Sequence, residues 1–290
     1  MKILISGHLG QLATDLKSVL AQHTLILTEF EDLPLQDTPR VLAFVQAHNP
    51  DLILNCAAYN RVDDAEDTPE PALAANTLAP RNLALAARAV DATLVHFSTD
   101  YVFDGAPTRT APFTEDDTPC PRSVYGVSKL AGELMVQSTW HKSFICRVCG
   151  LYGYAGSRDK GSNFVETMIA LARQGKPLKV VADQFLTPTS TLDIAFALPA
   201  LIATGKYGLY HMTSAGHCSW HEFARAIFDL AAIPVDLTPV DSSAFPTKAK
   251  RPAFSVLDNR NLRAAGLPDL PHWRESLSAY LQGRTANGRA

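Results

Sequence analysis

Residues 2–13 read KILISGHLGQLA. KILIS is a short apolar run of strand length, and Gly7 and Gly10 interrupt it. The pattern that follows suits a helix through about residue 22. Gly7, Gly10 and Ala13 make G-x-x-G-x-x-A. Small residues there let the backbone turn tightly and present the N–H groups of a helix start to an anion. At the first strand of the chain this suits the pyrophosphate of a dinucleotide. The spacing differs from G-x-G-x-x-G, and two glycines alone would serve any tight strand–helix turn.

Outward from this unit the rhythm repeats. LILTE (25–29), DLILNCAA (51–58), TLVHFSTD (93–100) and SFICRVCG (143–150) read as further strands. Helices are expected near 38–48, 70–90 and 124–140. Short apolar strands alternating with helices imply a parallel sheet covered on both faces, and right-handed crossovers make it doubly wound. The expected fold is therefore α/β, a Rossmann-type doubly wound parallel sheet over residues 1–150. After 150 glycine and polar residues cluster in 153–163, a helix is expected over 164–174, and a strand begins at LKVVADQ (178–184). Residues 151–290 are read as a smaller α/β substrate lobe interwoven with the sheet.

The chain has 290 residues, enough for a substantial core. Hydrophobic residues make up 47% and charged residues 19%, which excludes general disorder. A net charge of −3 gives no field that would draw the protein onto nucleic acid or an anionic membrane. The tract IAFALPALIA (194–203) is too short to span a bilayer and contains a proline. With no signal-peptide pattern in the first residues, a cytoplasmic protein is expected. The five cysteines, at 56, 120, 146, 149 and 218, are an odd number; Cys146-x-x-Cys149 lies in a strand with no second pair at zinc spacing, and His217 and His221 lack a carboxylate or cysteine pattern that completes a metal site. No metal site is assigned.

The chemistry-bearing residues gather where the strands end. Ligands of open α/β sheets bind outside the carboxyl ends of the strands. Glu29 closes the second strand, where an acid can accept hydrogen bonds from ribose hydroxyls and favour NADH over NADPH. Cys56-Ala57-Ala58-Tyr59 ends the third strand with side chains small enough to leave room for a cofactor. The fourth delivers Ser98, Thr99 and Asp100. Tyr125 and Lys129 then stand four apart at the head of a helix and share a face. Lysine beside tyrosine can stabilise the phenolate, directly or through a cofactor ribose. Bringing a phenol from about 10 to about 7 needs roughly 4 kcal/mol. The expected chemistry is carbonyl reduction with Tyr125 donating the proton and Thr99 hydrogen-bonding the same oxygen.

With these residues assembled, the chain resembles the extended short-chain dehydrogenase/reductases. Within them it is similar to the dTDP-4-dehydrorhamnose reductase family. The resemblance runs through ILISGHLGQLATDL, NCAAYNRVDDAE, FSTDYVFDG, SVYGVSKLAGE, NFVETM, DQFLTPTST, GLYHMTSAGHCSWHEFA and RPAFSVLDNRNL. It implies Thr99, Tyr125 and Lys129 as the catalytic set, with Lys129 also holding the nicotinamide ribose. It implies NADPH or NADH as cofactor, contacted by Gly7, Leu9, Gly10, Gln11, Leu12, Ala57, Ala58 and Tyr59, with Ser98 on the same side. It implies a nucleotide-sugar substrate beside Asp100, Tyr101, Val102 and Asn163, with Arg251 for the diphosphate. A homodimer is among its expectations.

Two departures stand out. The glycine turn ends in Ala13 where the family usually has glycine. Gly150, in Arg147-Val-Cys-Gly-Leu-Tyr152, stands where the family often has a tryptophan, so a roomier or differently shaped pocket is expected there. Two alternatives stay open: a reductase or epimerase of another nucleotide sugar, and a non-catalytic subunit resembling the β subunit of methionine adenosyltransferase. Tyr101 follows S-T-D where related dehydratases have glutamate.

Overall fold

The computed structural model describes residues 1–103, 105–106, 108–156 and 161–286. Its centre is a six-stranded sheet, every neighbouring pair parallel. Strands β1 (Lys2–Ser6), β2 (Thr24–Thr28), β3 (Leu52–Asn55), β4 (Thr93–Thr99) and β5 (Ser143–Val148) come from the first half of the chain. The sheet runs β2-β1-β3-β4-β5 and ends on a sixth strand, Gly208–His211, paired to β5. The order reverses between β1 and β3, which opens a crevice at the carboxyl ends of those strands.

Helices α1 (Gln11–Val19), α2 (Thr38–His48), α3 (Val62–Asp67), α4 (Pro69–Leu73), α5 (Ala79–Ala89) and α6 (Val124–Thr139) connect these strands. Alternate residues of β1 point to opposite faces, as a strand requires. Ile3 and Ile5 join Leu16 and a helix of the second half, α8 (Thr191–Ala203), through Ile194, Leu198 and Leu201. Leu4 faces α2, α5 and α6 through Val41, Leu83 and Val136. A third apolar cluster, around Tyr152, Phe223, Trp273 and Leu277, holds together α7 (Phe164–Ala172), α9 (Trp220–Leu230) and the last helix, Trp273–Ala286.

Three differences from the sequence reading bear on the site. The helix expected over 70–90 is broken into α4, a π-turn at Ala74–Leu78, and α5. Pro80 has no N–H to give the Asn76 carbonyl, so the helix opens, and Ala79 bonds back to Ala74. The freed Asn76 carbonyl faces α6, and Gly132 is the residue that lets the helix lie against it. The third strand stops at Asn55; Cys56 N–H still donates to the Ser6 carbonyl at 3.1 Å, and Ala57 then passes beside the glycine turn. α3 and the sixth strand were not anticipated as elements.

Candidate active site

β1 delivers the chain to Gly7 in a left-handed conformation (φ 68°). A side chain there would come within 2.8 Å of the Ala57 backbone, so only glycine lets the two loops approach. Gly10 then opens α1, and no side chain caps that helix. The first-turn N–H groups of Gln11 and Leu12 thus stand at the crevice, the arrangement that binds a phosphate. Glu29, at the end of β2, accepts a hydrogen bond from Leu9 N–H at 2.7 Å, which ties the acid to the glycine turn. These residues line a cleft of about 880 Å³ that continues past Ala57, Ala58 and Tyr59 to the ends of β4 and α6. A glycine cradle, an uncapped helix start and an acid at the next strand end fit a dinucleotide.

Tyr59 is held by a residue the sequence reading missed. Asn76, in the π-turn, accepts from Tyr59 N–H and donates to the Tyr59 carbonyl, both at 2.9 Å, and donates to Ser128 Oγ at 3.0 Å. Its signal was a polar residue inside the Ala-rich stretch LAANTLA.

At the far end β4 presents Thr99 and α6 presents Tyr125 and Lys129, all on the cleft. Ser123 caps α6 by accepting from Gly126 N–H, and Glu66 of α3 accepts from Val124 N–H at 2.8 Å. The helix start that carries Tyr125 is therefore fixed from two sides. Burial pushes the Tyr125 phenol above its usual range, and hydrogen bonding with Thr99 pulls the other way. The Tyr101 ring meets Tyr125 edge-on at 5.7 Å between centroids.

Lys129 corrects one expectation. Its ammonium donates to the Phe97 carbonyl at 2.5 Å rather than to the phenol. Of the two routes considered for tuning Tyr125, the direct one is not made in this structure. Burial lowers Lys129 to about 8, and Glu133 one turn below opposes the shift. Glu133 in turn pairs with Arg147 at 2.7 Å, both 2% exposed. Ser98 lines the cleft but donates its hydroxyl to Glu133.

Most of the remaining predicted residues also converge on the cleft. Gln11 and Leu12 line it on the turn side, and Asp100, Tyr101, Asn163 and Arg251 on the other. Asn163 caps α7 and donates to Gln11 Oε1 at 3.2 Å, bridging the two halves of the chain. Arg251 pairs with Asp63 at 2.6 Å and donates to the Tyr101 hydroxyl at 3.3 Å. Two residues stand apart. Leu9 turns a half-exposed side chain away from the cleft lining. Val102 is fully buried among Phe103, Phe113 and Phe254.

The family model described as the RmlD substrate binding domain matches residues 1–285. The chain belongs to the dTDP-4-dehydrorhamnose reductase family. It is 39% identical to the dTDP-4-dehydrorhamnose reductase of Burkholderia thailandensis, over 94% of this chain and 96% of that one. A crystal structure of a dTDP-4-dehydrorhamnose reductase from Clostridium acetobutylicum superimposes with a TM-score of 0.93 at 41% identity, covering 98% of this chain and 100% of that one. That of the Bacillus anthracis enzyme, solved in complex with NADP, gives 0.93 at 37% identity over 97% and 99%. Like other dTDP-4-dehydrorhamnose reductase family members, the chain is an NAD(P)-dependent oxidoreductase.

Within this family the departure at Gly150 has a structural reason. Gly150 has φ 56°, and a side chain would meet Leu186 Cδ1 at 2.8 Å and the Thr187 carbonyl at 3.2 Å. Where the sequence suggests a roomier or differently shaped pocket, the Leu186–Pro188 segment occupies the space beside Gly150. Aromatic surface reaches the cleft from Trp220 and Phe164 instead, their ring centroids 4.6 Å apart.

Proposed function

We propose that the chain reduces the 4-keto group of a dTDP-linked 6-deoxysugar, dTDP-4-dehydro-L-rhamnose to dTDP-L-rhamnose. The observation that carries this reading is the meeting of Thr99 and Tyr125 in the same cleft as the glycine turn. The reduced nicotinamide supplies hydride to the carbonyl carbon. Tyr125 donates its proton to the carbonyl oxygen, and the Thr99 hydroxyl donates a hydrogen bond to the same oxygen, orienting it. Lys129 holds the nicotinamide ribose. Gln11 and Leu12 seat the pyrophosphate with backbone N–H groups at the turn that Gly7 and Gly10 shape, and Glu29 takes the adenosine ribose hydroxyls. Arg251 forks onto the sugar-nucleotide diphosphate, as its planar donors suit. Residues 1–150 serve as the dinucleotide part and 151–290 as the sugar-nucleotide part.

No helix among the described residues is long and apolar enough to cross a membrane. We place the protein in the cytoplasm, as a dimer that covers the exposed apolar side chains Leu78, Val127 and Leu134.

The test is oxidation of NADH and NADPH with dTDP-4-dehydrorhamnose made in situ. The wild-type enzyme is expected to yield dTDP-L-rhamnose. Tyr125→Phe should lose about 10²- to 10⁴-fold in turnover while binding cofactor normally. A Tyr125→Phe enzyme with near wild-type turnover refutes the proton-donor assignment.

A further inference from the structure

The three aspartates of α3 each have a cation beside them. Asp64 pairs with Arg61 and Asp67 with Lys248, and both pairs lie out in solvent. The third pair, Asp63 with Arg251 at 2.6 Å, is less exposed, with 36% and 30% of the two side chains accessible. Its place differs too. Arg251 lines the cleft, and Asp63 stands behind it, off the lining.

The pair is not needed to hold the fold. An ion pair this exposed adds little to stability. The backbone around Arg251 is tied without it: Asp63 Oδ1 accepts from Ala249 N–H at 3.1 Å, and Ala253 N–H donates to the Gly105 carbonyl at 3.1 Å. What the pair fixes is the side chain. Arg251 Nη2 donates to Asp63 Oδ2, and Nη1 donates to the Tyr101 hydroxyl at 3.3 Å. Both terminal nitrogens are thus held, which sets the plane of the fork. Each carries two hydrogens, so a second N–H on each remains for a ligand. Tyr101 meets the Tyr125 ring edge-on, which registers that plane against the reacting end of the cleft. Attraction alone would not put a carboxylate here, because it cancels the charge that a phosphate seeks. Orientation would: a guanidinium already held in its plane has less freedom to lose on binding.

We propose that Asp63 is a positioning residue of the sugar-nucleotide site, holding the Arg251 guanidinium in one plane on the cleft wall so that its remaining N–H groups meet the diphosphate. The inference rests on the assignment of Arg251 to the diphosphate in the reading above. Asp63 touches no substrate atom. It acts through Arg251, and its contribution is to affinity for the phosphate-bearing part of the substrate.

Calorimetry with dTDP on the full-length protein, its cofactor site filled with NADPH, tests this. Asp63→Asn is expected to weaken dTDP about three- to tenfold, the cost of immobilising one such side chain anew. Tighter binding is what relief of the neutralising charge alone would give, and it overturns the proposal, as does unchanged binding. Thymidine, which lacks the phosphates, should bind both proteins equally. A parallel loss with thymidine means that Asp63 shapes the cleft as a whole, and it too overturns the proposal. In an Arg251→Met background Asp63→Asn should have no further effect on dTDP, because the two residues act as one unit; a further loss there overturns the proposal. An Arg251→Met protein that binds dTDP like the wild type overturns the diphosphate role of Arg251 itself, and with it the reading on which the inference rests. Asp63→Ser, which leaves an acceptor for Ala249 N–H, serves in the same assay if the asparagine variant fails to fold.

Discussion

Replacing Gly132 with alanine should destabilise the protein, although alanine is the better helix former. Gly132 lies in α6, and an added Cβ would stand 2.0 Å from the Asn76 carbonyl oxygen. Real Cβ contacts essentially never fall below 3.0 Å, so α6 and the π-turn would have to part by about 1 Å. Neither side yields easily. Asn76 is fixed by its bonds to Tyr59 and Ser128, and α6 is pinned at Val124 by Glu66. Overpacking costs typically 1–3 kcal/mol, and contact with backbone on both sides puts this case near about 3. The gain in helix propensity returns about 1 kcal/mol. The net is a loss of about 2 kcal/mol, or about 3 °C in melting temperature for a chain of this size. Urea titration and thermal melts of the two proteins measure it. Because Asn76 also clamps Tyr59, NADH affinity should weaken in parallel. A Gly132→Ala protein as stable as the wild type would mean that the carbonyl does not face α6 as described.

Three further outcomes are expected. Burial pushes His211 down to about 3, Arg147 adding to the shift, and burial holds His96 well below its usual range. Both stay neutral in the folded protein while the unfolded chain binds protons below about 6.5, so stability must fall as the solution is acidified. Urea midpoints should drop between about pH 7.5 and about pH 5.5, and His211→Gln should flatten that slope; an equal slope in the variant counts against the assignment. Gly150→Ala should cost about 1–3 kcal/mol, from a left-handed backbone and contact with Leu186, and an unshifted denaturation midpoint would sink this reading. Glu29→Ala should raise kcat/KM with NADPH relative to NADH, because it removes the carboxylate that opposes a 2′-phosphate; an unchanged ratio would count against Glu29 as the residue that selects the cofactor.

The alternation of short apolar strands with helices was legible because each depends on side chains close in sequence. β1, α2 and α6 fall within a residue or so of their expected limits. The convergence of Thr99, Tyr125 and Lys129 on one cleft was legible for the same reason: Thr99 ends a strand, and Tyr125 and Lys129 share a helix face. What escaped depends on distant partners. GLYH (208–211) carries no periodicity of its own, and only the open edge of β5 makes it a strand. The break at Asn76 follows from Pro80, but its purpose is visible only with Gly132 beside it. Lys129 turned away from the phenol because Phe97 and the buried Glu133–Arg147 pair lie beneath it. The backbone at Gly150 was not legible, because a comparison of residue types says nothing of backbone conformation.

The sixth strand has a consequence for how the chain is made. During synthesis β5 emerges about sixty residues before its outer neighbour, Gly208–His211. α8, which covers one face of the sheet, also lies beyond the first half. Until the ribosome releases them, the nascent sheet offers an open edge at β5 and an apolar face that α1 covers only in part, the surfaces on which strands of different chains join. A fragment ending near residue 150 keeps that state permanently. The nascent chain therefore gains its protection late, and a pause in translation between about residues 150 and 211 is the interval in which a chaperone has most to do.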